Sequence, residues 1–134
     1  LPFYAALNVT GRERFSPPHP ADALVARGFR RDQARDKGFG GASLGPQAPA
    51  VLAEAFAAHG YVIHRAPSDW VVDRRARAFT RAIADGHATA ALGWERRGAD
   101  AILDWLDTRQ DQADAGQLAV RIGHQDFLAL PPAR

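Results

Sequence analysis

The chain opens on Leu1-Pro2-Phe3-Tyr4-Ala5-Ala6-Leu7-Asn8-Val9, an apolar run with no alternation of polar residues. A run of this kind predicts a strand buried on both faces, as inside a parallel sheet. Such a strand needs neighbours on both sides. Only two later segments read as strands, Tyr61 to Ala66 and the stretch beginning at Leu118. The expectation is therefore a chain that supplies part of a sheet: the back portion of a larger α/β protein.

Composition narrows the class. At 134 residues and 46% hydrophobic, the chain is long enough for one core, and a single domain over 1–134 is expected. No apolar stretch approaches the roughly 20 residues of a membrane span, so a membrane is not expected as a partner. The absence of cysteine excludes disulfides, thiolate metal sites and thiol catalysis, and a cytoplasmic protein is expected. Of the 17 basic residues Lys37 is the sole lysine, and the net charge is only +2. Arginine grips phosphate bidentately, which would suit RNA. So small a net charge argues against a dedicated nucleic-acid binder, and a GC-rich genome accounts for the arginine and alanine.

Proline and glycine punctuate the chain. Thr10-Gly11 reads as a turn, and Pro17-Pro18-His19-Pro20 as extended backbone. A first helix starts near Pro20, with Leu24, Val25 and Phe29 inward and Arg27, Arg30, Arg31 and Arg35 outward. Gly28 in its middle costs about 1 kcal/mol relative to Ala. A glycine-rich loop, Asp36 to Pro46, leads to a second helix, Pro49 to His59, stopped by Gly60. A third helix follows Asp73 as N-cap, with Val72, Ala76, Phe79, Ile83, His87 and Ala90 on one face and Arg74, Arg77 and Arg81 on another. The fourth, Ala99 to Ala115, carries Ile102, Leu103, Leu106 and Ala113 on its apolar stripe and ends at Gly116. The last segment alternates to Ile122 and slips at Gly123, as a bulge would.

Few residues carry chemistry by pattern. Asp100, Asp104, Asp107, Asp111 and Asp114 are evenly spaced opposite an apolar stripe, which describes a solvated helix face rather than a metal site or an acid–base pair. His19, His59, His64, His87 and His124 are scattered without metal-ligand spacing, so no metal is expected. Trp70, Trp94 and Trp105 read as packing residues, with Trp70 also placed to line a pocket mouth. The Gly38-Phe39-Gly40-Gly41 loop follows a helix, so it fails the strand–turn–helix test for a nucleotide loop.

Four stretches together resemble a known family. They are Phe3-Tyr4-Ala5-Ala6-Leu7 with Gly11-Arg12; Arg14-Phe15 with Pro17-Pro18 and His19 to Val25; Asp36-Lys37-Gly38-Phe39-Gly40 with Leu44-Gly45-Pro46; and Val120 to His124 with Asp126 to Pro131. The chain resembles the C-terminal half of bacterial class I S-adenosylmethionine-dependent methyltransferases. The resemblance implies an incomplete Rossmann-like α/β sheet of about three strands with about four helices. In it the strand from Leu118 runs antiparallel between the first strand and the Tyr61 strand, and 73–115 is a helical insertion. It also implies methyl transfer to an unknown acceptor, with S-adenosylmethionine bound by an upstream half and none by this chain alone. Ligands of such sheets sit beyond the carboxyl ends of the strands. That rule makes Asn8 a candidate hydrogen-bonding residue, and Arg12 and Arg14 candidate anion-binding residues. Lys37 and Phe39 are placed on a candidate lid with glycine hinges. Asn8 capping a turn and solvated arginines are the structural alternatives. Catalytic residues are not assigned. Two other function classes stay open: an interaction module that pairs through its first strand, including a homodimer, and an arginine-rich RNA-binding domain.

Overall fold

The computed structural model describes residues Leu1–Ala133. The elements run β1 (Phe3–Ser16), α1 (Asp22–Gln33), α2 (Ala48–Ala57), β2 (Val62–Pro67), β3 (Trp70–Val72), α3 (Arg77–Trp94), α4 (Ala99–Asp114) and β4 (Ala119–Leu130). Short 3₁₀ turns precede α2 and α4. The α/β class and the four α-helices agree with expectation. The sheet has four strands in an open antiparallel arrangement, in the order β1-β4-β2 with β3 also on β4. Strands β2 and β4 pair antiparallel from Val62↔Leu130 to Pro67↔Gln125.

Three corrections follow. The first strand is not buried on both faces: Phe3, Tyr4 and Leu7 are 39%, 60% and 43% exposed, and in β1 only Phe15 is buried. It lies at one end of the strand order, so one edge lacks a neighbour among the described residues. Thr10-Gly11 is not a turn; β1 runs through it, with Gly11 taking φ +80° inside the strand. The sheet has four strands rather than three, because Trp70–Val72 adds a short strand to β4. β4 was expected between the other two strands and antiparallel, and it occupies that place.

The residues group into two compact units. The first holds 1–12, 44–70 and the chain from Ile122, that is, most of β1, β2 and β4 with α2. Its apolar centre is aromatic: the Phe56 ring of α2 lies 5.0 Å from Phe3, 5.8 Å from Phe127 and 5.0 Å from Tyr61. Gly60 ends the α2 turn at φ +80°, the left-handed geometry expected of it. Burial along β4 changes phase across Gly123-His124, from Leu118 and Val120 to Phe127 and Ala129. Gly123 is required there by contact, since a Cβ would sit 2.2 Å from Thr10 Oγ1 and 3.0 Å from the Arg12 carbonyl oxygen.

The second unit holds 13–43 and 71–121, a bundle of α1, α3 and α4 with the far ends of β1 and β4. Helix α1 meets α3 at Gly28, where a Cβ would lie 2.7 Å from Ala91 Cα. Trp105 of α4 is fully buried with its ring edge-on to Phe15. The inward stripe of α3 is Thr80, Ile83, Ala84, His87, Ala88 and Ala91, while Phe79 is 44% exposed. Helix α3 begins at Arg77 rather than directly after Asp73, whose carboxylate instead accepts the Arg75 N–H in a turn. On α4 the inward residues include Trp105 and Arg109, and Leu103 faces out. The aspartate line of α4 is exposed as expected, and Arg81 of α3 pairs with Asp114 at 2.7 Å.

Candidate functional site

The second unit carries a cleft of about 150 Å³ where β1 ends and α1 begins, lined by Glu13, Arg14, Phe15, Pro18, Asp22, Val25 and Ala26. Strand alternation puts Glu13 and Phe15 on the same side of β1, toward His87 of α3. His87 is buried between aromatic rings, stacked on Phe29 at 3.8 Å and edge-on to Phe15 at 5.1 Å. Its Nδ1 lies 2.9 Å from the Ile83 carbonyl, an acceptor, so Nδ1 carries a proton. Its Nε2 meets Glu13 Oε2 in a close hydrogen bond. The side chain of Glu13 is 11% exposed.

Asp22 forms the other polar wall. One of its oxygens accepts Trp105 Nε1–H at 2.7 Å and Arg109 Nη2–H at 2.7 Å; the other accepts the His19 backbone N–H at 2.9 Å. Burial pushes its carboxyl up, but these donors together hold it below the ordinary carboxylate range. Arg109 is fully buried between the Phe15 and Trp105 rings and donates to the Pro17 carbonyl and to Gln112. A buried guanidinium is tolerated only with such partners. Asp22 thus accepts three hydrogen bonds, and the cleft combines apolar walls with two carboxylates, Glu13 and Asp22.

The first unit carries a shallower cleft of about 270 Å³, lined by Tyr4, His64, Arg65, Ala66, Asp126, Phe127 and Leu128. Asp126 is its hub, accepting Tyr4 O–H at 2.5 Å, the Leu7 N–H at 2.9 Å and Ser68 O–H at 2.7 Å. The Tyr4 hydroxyl, then the Leu7 N–H and Ser68, hold the Asp126 carboxyl below its usual value; the same bond raises Tyr4. Leu7 sits at φ +56°, a left-handed conformation that costs a non-glycine residue roughly 1–2 kcal/mol. The Asp126 carboxylate on its N–H is what stabilises that kink. All of Asp126's oxygens are committed, so this hub ties strands together rather than presenting a reactive group.

The residues singled out from sequence are dispersed. Asn8 donates its amide N–H groups to the Ala5 and Gln125 carbonyls, each at 3.0 Å, and so braces the Leu7 kink. Arg12 is exposed in the first unit, with its carbonyl against Gly123. Arg14 lies on the lining of the small cleft in the second unit. Lys37 and Phe39 are exposed, Phe39 to 94%, on a loop closed by an Asp36↔Ala42 bridge and by Asp36 accepting the Gly38 and Phe39 N–H groups. Sequence reading passed over Glu13, Asp22, Arg109 and Asp126. The one available signal was a charged residue at an inward position: Arg109 lies seven after Ile102 on the stripe, and Glu13 lies in the strand beside Phe15.

Comparison with protein-family models, with curated proteins and with solved structures finds no match. No helix among the described residues is long and apolar enough to cross a membrane.

Proposed function

We propose that this chain forms the acceptor side of a cytoplasmic class I S-adenosylmethionine-dependent methyltransferase. The observation that carries the reading is the strand order, with β4 between β1 and β2 and antiparallel to β2. This is the place the resemblance assigns to the last strand of that fold. The small cleft lies at the carboxyl end of β1, beside the start of α1. Methyl transfer asks mainly for an aligned acceptor, which a small shaped cleft supplies.

The residues present do not fit the methyl donor itself. The glycine-rich loop 36–46 follows α1 instead of a strand and leads through a 3₁₀ turn into α2, so it lacks the strand–turn–helix order of a nucleotide loop. The test is calorimetry with S-adenosylmethionine on this chain alone and on the polypeptide joined to the sequence encoded before Leu1. The joined protein is expected to bind at micromolar concentration and this chain alone not to bind. Overturning results are micromolar binding by this chain, or an upstream sequence without a strand and GxGxG-like turn within about 130 residues.

The free edge of β1 favours a second reading, an interaction module that adds a strand from another copy. Phe3, Tyr4 and Leu7 are exposed along it, and open apolar edges template pairing. Light scattering decides this one: a monomer at all concentrations ends it.

A further inference from the structure

We infer that the exposed face of α1, with the turn that joins α3 to α4, is a binding surface for single-stranded nucleic acid. The inference is independent of the methyltransferase reading and uses neither cleft.

The net charge of +2 conceals a separation of charge within the second unit. Its aspartates are gathered on the exposed line of α4. On α1, Arg27, Arg30, Arg31 and Arg35 are all exposed, and helical spacing puts them on one face. Lys37 follows, exposed, in the loop that leaves the helix. The 95–98 turn packs on the same helix: a Cβ at Gly28 would lie 3.0 Å from Glu95 Cγ, and one at Gly98 would lie 2.7 Å from Leu24. That turn brings Arg96 and Arg97, both exposed.

Carboxylates offset only part of this charge. Arg27 and Arg31 share Glu95, and Arg35 pairs with Asp32. Arg30, Lys37, Arg96 and Arg97 make no ion pair among the described residues. Guanidinium groups grip phosphate through paired N–H groups. Cations spread along a helix, a turn and a loop match a run of phosphates better than a single anion.

Aromatic rings among the cations select the kind of polyanion. Trp94 is 40% exposed, with the Arg31 guanidinium 5.9 Å from its ring centroid. Phe39 is 94% exposed, on a loop closed by the Asp36↔Ala42 bridge, and its N–H is held by Asp36. A ring so exposed contributes no burial to the fold. Bases of a single strand stack on such rings beside a cationic track. Acidic proteins and inorganic polyphosphate bring charge without bases.

The test follows fluorescence anisotropy of labelled oligouridylate and oligothymidylate of about twelve nucleotides as the chain is added. At about 50 mM salt, one or both are expected to bind with micromolar Kd, and the tighter one tells RNA from DNA. Contacts from the four cations without carboxylates predict a slope of log K against log salt of about −2.8, so binding weakens about fiftyfold by about 200 mM. Arg30→Gln is expected to bring the slope to about −2.1. Phe39→Ala should weaken binding about five- to tenfold with the slope unchanged. Both side chains are exposed, so circular dichroism should not change. The inference is overturned if neither oligonucleotide binds with salt-dependent affinity, or if either variant binds as the parent does. It is also overturned if polyphosphate or phosphatidylserine vesicles bind as tightly per phosphate, which would make this face a general anion or membrane surface.

Discussion

Replacing Gly28 and Gly86 by alanine, one at a time, separates helix propensity from helix contact. Both glycines lie inside helices, so each substitution gains the same backbone term of about 0.8–1 kcal/mol. A Cβ at Gly86 meets nothing within 4 Å. At Gly28 it would lie 2.7 Å from Ala91 Cα and 2.8 Å from Ala91 Cβ. Carbon atoms pack at about 3.5–4.0 Å, so α1 must retreat from α3 by roughly 1 Å. Overpacking of this kind costs about 1–3 kcal/mol. Gly86→Ala is therefore expected to stabilise by up to about 1 kcal/mol and Gly28→Ala to destabilise by about 1 kcal/mol. Their difference is the better quantity, because the shared propensity gain cancels and leaves the contact term of about 2 kcal/mol. Urea unfolding with an unchanged slope measures it. A difference below about 0.5 kcal/mol would show that α1 and α3 do not touch at Gly28, and would refute the packing of the second unit.

Three other measurements probe the two sites. Gly123→Ala is expected to destabilise by about 2–3 kcal/mol in the same assay, because Thr10 Oγ1 and the Arg12 carbonyl leave no room; Thr10→Ala should recover part of the loss, and a neutral Gly123→Ala would contradict the β1–β4 contact. The carboxyl of Asp22 is depressed when folded, so its contribution to stability is present above the ordinary carboxylate value and lost as pH falls through the depressed one. Acid unfolding monitored by Trp fluorescence should shift in Asp22→Asn, which lacks this proton linkage; an identical acid limb in both proteins would count against it. Tyr4 should ionise at higher pH than free tyrosine and return toward it in Asp126→Asn, as read from tyrosinate absorbance against a Tyr4→Phe reference.

The legible parts of the fold were those ruled by local chemistry. Gly60 and Gly116 mark chain reversals because left-handed backbone favours glycine there, and both take positive φ. The aspartates of α4 were readable as a solvent face because period and charge agree. The Leu1–Val9 run misled because apolar character reports what a strand could bury, whereas edge or centre depends on its neighbours. Gly28 looked like a weak point in a helix until Ala91 was seen against it.

The candidate site was harder to read for the same reason. Asn8, Arg12, Arg14, Lys37 and Phe39 were chosen for residue type and position, and only Arg14 lies along the small cleft. Glu13 and His87 are 74 residues apart, and Asp22 and Arg109 are 87 apart. No spacing rule links residues at such separations. The existence of the four helices, the turns at Gly60 and Gly116 and the aspartate face of α4 follow from the amino-acid sequence by itself, since each depends on a few neighbouring residues. The open edge of β1, the Glu13–His87 contact and the buried Arg109 belong to tertiary structure alone, because long-range packing sets which charges lose water and which partners reach them.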